Sequence, residues 1–230
     1  MGQSIEFTRP DGQTCPGYLA TPAGGGADAP GVVVVEEWWG VTPQITQVAD
    51  DLAARGYRAL VPDLYRGRTA AVGDEANHLM QGLDFGDAAT QDVRGAVLEL
   101  KKNGRKVAVL GFCMGGAIAV LAGMYVAEAD AVVAFYGFPP PEAGDPGTIR
   151  VPVLAHAGRK DQFWKPDAVE VFEEKLRAGG VTYELHWYDA DHGFTNPAPV
   201  GQAGLGHYDE AAANQAWERT YAFLDRVLKR

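Results

Sequence analysis

Apolar and polar positions along this chain follow two alternating periods. GVVVVEE (31–37) is continuously apolar up to its last two residues, the mark of a strand buried on both faces. Thr42 and Pro43 then offer an N-cap and a first-turn proline. Ile45, Val48 and Leu52 follow at helical spacing, and Gly56 closes that helix. The next strand is predicted over 57–65. Residues 66–86 read as a loop with a short helix. Residues 87–104 form a helix with Val93, Val97 and Leu100 on one face and Gly104 as its stop. Strands are predicted at 106–112, 130–137, 151–158 and 181–189. Helices are predicted at 115–126, 166–178 and 209–230, and 138–147 is a turn-rich loop. Residues 4–22, with Asp11-Gly12 at their turn, read as an antiparallel hairpin at a sheet edge, followed by a loop at 24–28. Strand–helix alternation of this kind makes an α/β fold: a mostly parallel central sheet with helices on both faces and no large cap domain. With no repeat and no linker, one domain spanning 1–230 is expected.

Composition narrows the partners. The chain has 230 residues, 47% of them hydrophobic, and a formal charge of −10. That balance disfavours nucleic acid and anionic membranes, which both need clustered Lys and Arg. No apolar run reaches the roughly 18–20 residues of a membrane span, and the N-terminus lacks the segments of a signal peptide, so a cytoplasmic location is expected. Two cysteines, Cys15 and Cys113, make no disulfide framework.

In sheets of this kind chemistry sits beyond the carboxyl ends of the strands. GFCMGG (111–116) lies there, between a strand and a helix, in the frame of a nucleophile elbow with cysteine at the serine position. A helix N-terminus favours negative charge on sulfur and on an oxyanion. Cys113 is therefore the candidate nucleophile. Of the five histidines, 78, 156, 186, 192 and 207, only His192 stands in a short post-strand loop, DADHGF, and it is the candidate base. His156 and His186 lie within strands and read as structural; His78 and His207 lie in loops or at helix edges. Asp161 in AGRKDQFW is the candidate acid that orients the imidazole, because the order nucleophile, acid, histidine is that of α/β-hydrolases. Glu36 and Glu37 end a wholly apolar strand, where an unpaired buried carboxylate is costly, so at least one should have a partner or a task. Trp38 and Trp39 would wall a pocket or pack on the adjoining helix. No H-E-x-x-H or C-x-x-C spacing points to a metal.

Together these stretches make the chain resemble the dienelactone hydrolase family. The matching segments are VVVVEEWWG (32–40), RGYRALVPDLYRG (55–67), GFCMGG (111–116), YG (136–137), HAGRKDQF (156–163) and HWYDADHGF (186–194). The resemblance implies Cys113 as nucleophile, His192 as base and Asp161 as its partner. It matches the family's glutamate to Glu37, with a part in deprotonating or holding the resting thiol. It implies oxyanion donors at the backbone N–H groups of Trp38 and Met114. It also implies a thioester intermediate on the way to an opened lactone or cleaved ester, and no metal or organic cofactor. Glu36, Trp39, Phe138, Trp164 and Phe194 are expected around the substrate. Family members that grip a carboxylate use two arginines; residues 193–200 contain none, and 70–85 hold only His78, with Arg66 and Arg68 close by in sequence. A neutral ester or lactone therefore suits the chain better than dienelactone itself. The expected partner is that small molecule, with the chain a monomer or weak homodimer. The competing reading is a non-catalytic or regulatory small-molecule binding module on a hydrolase fold.

Overall fold

A computed structural model describes residues 2–26, 28–197 and 208–229. Its centre is one eight-stranded sheet in the order β1-β2-β4-β3-β5-β6-β7-β8. β1 (Gln3–Thr8) and β2 (Thr14–Ala20) are the antiparallel hairpin, and β2 pairs antiparallel with β4 (Arg58–Pro62). The remaining pairs, through β3 (Gly31–Val35), β5 (Val107–Phe112), β6 (Ala131–Phe135), β7 (Val153–Gly158) and β8 (Tyr183–Tyr188), are parallel. Every residue of β3, β5, β6 and β7 is buried, as continuous apolar runs require when both faces are covered.

Alternation along the strands divides the core in two. Val33, Val35, Val107 and Val109 face α4 (Arg94–Leu100), α5 (Met114–Tyr125) and α6 (Pro166–Ala178). Val32, Val34, Ala108 and Leu110 face α1 (Pro43–Ala54) and the C-terminal helix α7 (Glu210–Leu228). Ile45, Val48 and Leu52 are the buried stripe of α1, as their spacing predicts. Thr42 starts that helix through its backbone carbonyl, its hydroxyl making no cap, while Asp209 caps α7 through a bond from Ala212 N–H at 2.9 Å.

The structure refines several boundaries. The strand expected over 57–65 stops at Pro62, because Asp63–Gly67 turns, with Arg66 at φ 57°. The mixed stretch 66–86 contains α2 (Gly73–Gln81). The helix expected from residue 87 begins earlier, as the short α3 (Phe85–Asp87), where Asp84 accepts from Asp87 N–H. It passes through a π turn at Ala88–Val93 before α4. His207 lies outside the described residues.

The π turn has a consequence for charge. An inserted residue re-aims the side chains of a helix, and here Asp92, 1% exposed, faces the hairpin. It accepts from Arg9 at 3.1 Å and from Arg66 at 2.8 Å, and Arg9 also binds Asp11 and Asp87. This network ties the sheet edge to the β4 turn. Replacing Asp92 by Ala removes the carboxylate that Arg9 and Arg66 share while Arg9 keeps Asp11 and Asp87, and losing these charged hydrogen bonds costs about 2 kcal/mol. Urea denaturation of Asp92→Ala checks this; a loss below about 1 kcal/mol would contradict it.

Candidate active site

The turn between β5 and α5 puts Cys113 at φ 53° and ψ −118°, a strained conformation for a residue with a Cβ. It survives because the backbone around it is packed too closely for side chains. A Cβ on Gly111 would lie 1.9 Å from Gly115 O, and one on Gly115 would lie 2.4 Å from the carbonyl oxygens of both Val35 and Glu36. A Cβ on Gly137 would lie 1.7 Å from Cys113 O. Cys113 N–H donates to Phe135 O at 2.9 Å, clamping the elbow to the end of β6. Tyr136, the next residue there, is also strained, at φ 39°. Met114 opens α5, so its N–H belongs to the unpaired first turn of a helix.

His192 and Asp161 arrive on the loops after β8 and β7. His192 Nδ1 and Asp161 Oδ2 are 2.8 Å apart, both side chains almost wholly buried. Asp161 Oδ1 accepts from the N–H groups of Phe163 and Trp164 at 2.8 and 2.9 Å, which fixes the carboxylate. Burial opposes a charge on His192, but the neighbouring Cys113 sulfur and the hydrogen-bonded Asp161 outweigh it and raise the imidazole to about 10. His156, read as structural, is buried between Tyr188 OH and Thr220 Oγ1 at 2.9 Å each. Burial holds it neutral, well below the usual histidine range.

The two glutamates part company. Period-two alternation would put Glu36 on the face of Val34 and Glu37 on that of Val35. The pleat breaks instead, since both the Val35 and Glu36 carbonyls point at Gly115. Glu37, 4% exposed, turns to Tyr136 OH at 3.3 Å and Asn196 Nδ2 at 2.6 Å. Burial pushes its carboxyl up, while the charge of His192 and these two donors hold it back. Tyr136 OH also meets Thr195 Oγ1 at 2.7 Å, and its ring stands edge-on to His192. Glu36 is fully buried, and among the described residues no side chain hydrogen-bonds either carboxyl oxygen. Burial, then nearby Asp63, push its carboxyl well above the usual range; the Leu64 N–H and Arg66 pull less strongly the other way.

A cavity of about 290 Å³ opens over Cys113 and His192. Trp38 and Met114 wall it from the elbow side, and Met80 and Phe85 from α2 and α3. Ala117, Phe138, Pro140, Phe163 and Trp164 complete it. Of the residues expected at the substrate, Phe138 and Trp164 line this space and three do not. Trp39 packs against Ala70 and Ala76. Phe194 is sealed between Tyr136 and Tyr188. Glu36 turns away at the broken pleat. Tyr136, Thr195, Asn196 and Phe163 are site residues that the sequence did not single out individually. The available signals were the Tyr-Gly pair ending β6 and the polar pair after Phe194. Arg66 is spent on Asp92 and the Cys15 sulfur, and Arg68 on Tyr65 O, so neither reaches the cavity. Among the described residues no group of three His, Cys, Asp or Glu could hold a metal, and no helix is long and apolar enough to cross a membrane.

This sheet, with a cysteine at the elbow and an Asp–His pair on the following strand-end loops, defines an α/β-hydrolase. The chain matches the dienelactone hydrolase family over residues 15–228 and belongs to it; it is a hydrolase of the carboxymethylenebutenolidase class. It is 34% identical to the protein usf of Aquifex pyrophilus, over 99% of this chain and 100% of that one. It is 30% identical to a carboxymethylenebutenolidase of Rhodococcus opacus, over 98% and 92%. In structure it is similar to a dienelactone hydrolase-like promiscuous phosphotriesterase from metagenomic libraries. That match has a TM-score of 0.88 and 25% identity, and covers 99% of this chain and 98% of the other.

The isolated Glu36 makes a testable demand. Its carboxyl is raised in the folded state, so the folded protein holds a proton that the unfolded chain releases above about 4.5. Stability is then unaffected below that value and falls as pH rises from it towards the folded value, by up to about 1.4 kcal/mol per pH unit. Glu36→Gln removes the loss. Its melting temperature should match wild type near pH 4 and exceed it at pH 8; equal melting at both would contradict the assignment.

Proposed function

We propose that this protein is a cysteine-dependent hydrolase of neutral carboxylic esters or lactones, acting through a thioester on Cys113. The observation that carries the reading is the line of contact from Asp161 through His192 to Cys113. The acid holds Nδ1 at 2.8 Å and thereby points the other ring nitrogen at the elbow sulfur. In the first half-reaction the Cys113 thiolate attacks the carbonyl carbon. The C=O electron pair moves to oxygen, which the N–H groups of Trp38 and Met114 receive. Collapse expels the alkoxide, and the His192 imidazolium protonates it as it leaves. In the second half-reaction His192 takes a proton from water. The hydroxide attacks the thioester, and the sulfur departs as thiolate while the carboxylic acid is released. A lactone passes through the same steps, with its alcohol still tethered to the acid.

Glu37 fits a supporting role. Tyr136 and Asn196 hold its carboxylate near His192, where its negative charge favours the imidazolium that carries the thiol's proton in the resting enzyme. The preference for neutral substrates rests on the cavity wall. Among the described residues lining it, none is Lys or Arg, and a desolvated carboxylate binds poorly without a cation.

Kinetics on a short-chain aryl ester test this. Cys113→Ala should lower kcat/KM by about 10³-fold or more, and Asp161→Asn by a smaller but large factor, since the imidazole then loses its orientation. With wild type the alkaline limb of the rate should appear only well above the usual histidine range near 6.5, where His192 finally loses its proton. Full activity in Cys113→Ala would sink the proposal. A preference for dienelactone over the neutral ester would sink the substrate assignment.

A further inference from the structure

A second cavity, of about 150 Å³, lies behind the first. The two share Phe138 and Trp164, whose rings meet edge to face at 5.9 Å and 85°. That pair is the partition between them. Beyond it the wall is built from prolines of the 138–147 loop and from Ala168, Val171 and Phe172 of α6, with Lys175 its one charged residue. Ala168 and Val171 are exposed, so the far end opens to solvent.

The two halves of the partition are held unequally. Phe138 is 1% exposed and packs on Phe172 at 4.8 Å. Trp164 is anchored by its backbone N–H on Asp161, its side chain is partly exposed, and its ring contact among the described residues is Phe138. An edge-to-face pair of this kind gives way to a hydrocarbon chain that buries a few methylenes. The direction is set by the chemistry. His192 protonates the leaving group, so that group lies on the His192 side, beside the half-exposed Phe163 ring 4.9 Å from the imidazole. The acyl arm is left the space towards Phe138 and Trp164.

We infer that Trp164 gates an acyl-chain subsite, and that the enzyme accepts neutral esters carrying an unbranched acyl chain too long for the reactive cavity alone. This rests on the ester-hydrolase reading above. The reactive cavity is at the small end for a ligand site, roughly 300–1,000 Å³, and joining the second cavity enlarges it by about half. Each methylene buried there should favour the longer substrate about fourfold.

The experiment measures kcat/KM for p-nitrophenyl alkanoates of two to twelve carbons. Trp164→Ala should raise the octanoate-to-acetate ratio tenfold or more. Ala168→Phe, which fills the second cavity from an exposed helix position, should lower that ratio about tenfold. A ratio unchanged in both variants would overturn the inference. A readout independent of turnover accompanies it: calorimetric titration with 2-undecanone, a non-hydrolysable ketone that carries the decanoyl chain of an ester, beside 2-pentanone. Wild type should bind the long ketone at least tenfold more tightly than Ala168→Phe does; equal affinity in the two proteins would overturn the subsite. A wild type inert towards every ester would instead sink the hydrolase reading, and the ketone titration would still decide the subsite.

Discussion

Three backbone segments meet at Cys113 with no room for a side chain between them. The carbonyls of Val35 and Glu36 press on Gly115, the first turn of α5 presses on Gly111, and the elbow carbonyl presses on Gly137. This contact holds Cys113 at a positive φ, which nothing local would favour. It also joins the ends of β3, β5 and β6, so that the segments bearing Glu37, Met114 and Tyr136 converge at the elbow. The wholly buried strands β3, β5 and β6 give the surrounding burial that pays for this strain.

The same meeting point decides the fate of two adjacent carboxyls. Because the pleat of β3 breaks at Glu36, neighbours in sequence enter opposite sides of the sheet. Glu37 finds two donors and the charge of His192. Glu36 is wholly buried, with Asp63 and Asp92 outweighing the Leu64 N–H and Arg66 nearby. One lies beside the imidazole with two donors, and the other is shut away from hydrogen-bonding side chains. Charge is likewise sorted between regions. The arginines of the β4 turn and the hairpin serve the Asp92 network, while the reactive cavity is aromatic and aliphatic except for Cys113 and His192. That sorting underlies the proposed preference for neutral esters and the proposed acyl-chain subsite.

Much of this was legible in the chain. Continuous apolar runs identified the buried parallel strands because strands covered on both faces cannot alternate. The G-x-C-x-G-G frame identified the elbow because only glycine tolerates such backbone approach. The order Cys113, Asp161, His192 anticipated which strand-end loops would meet, and the two acidic residues after GVVVV stood out against their surroundings. These signals are local, carried by spacing and residue type.

What only the tertiary structure decided was the direction of side chains and the company they keep. Alternation would assign Glu36 and Glu37 to the wrong faces, because a pleat broken by a tertiary contact leaves no mark on period. The π turn that aims Asp92 at Arg9 and Arg66 is silent for the same reason, since those partners lie 83 and 26 residues away in the chain. Trp39 and Phe194 looked like pocket residues by their positions and proved to be core, whereas Phe163, Met80 and Phe85 reached the cavity from elements whose packing no local pattern reveals. The sequence by itself determined the elements, the elbow and the reactive residue types, since each depends on local sterics and burial. Folding decided which of those residues share a cavity, because that depends on distances between segments far apart in the chain.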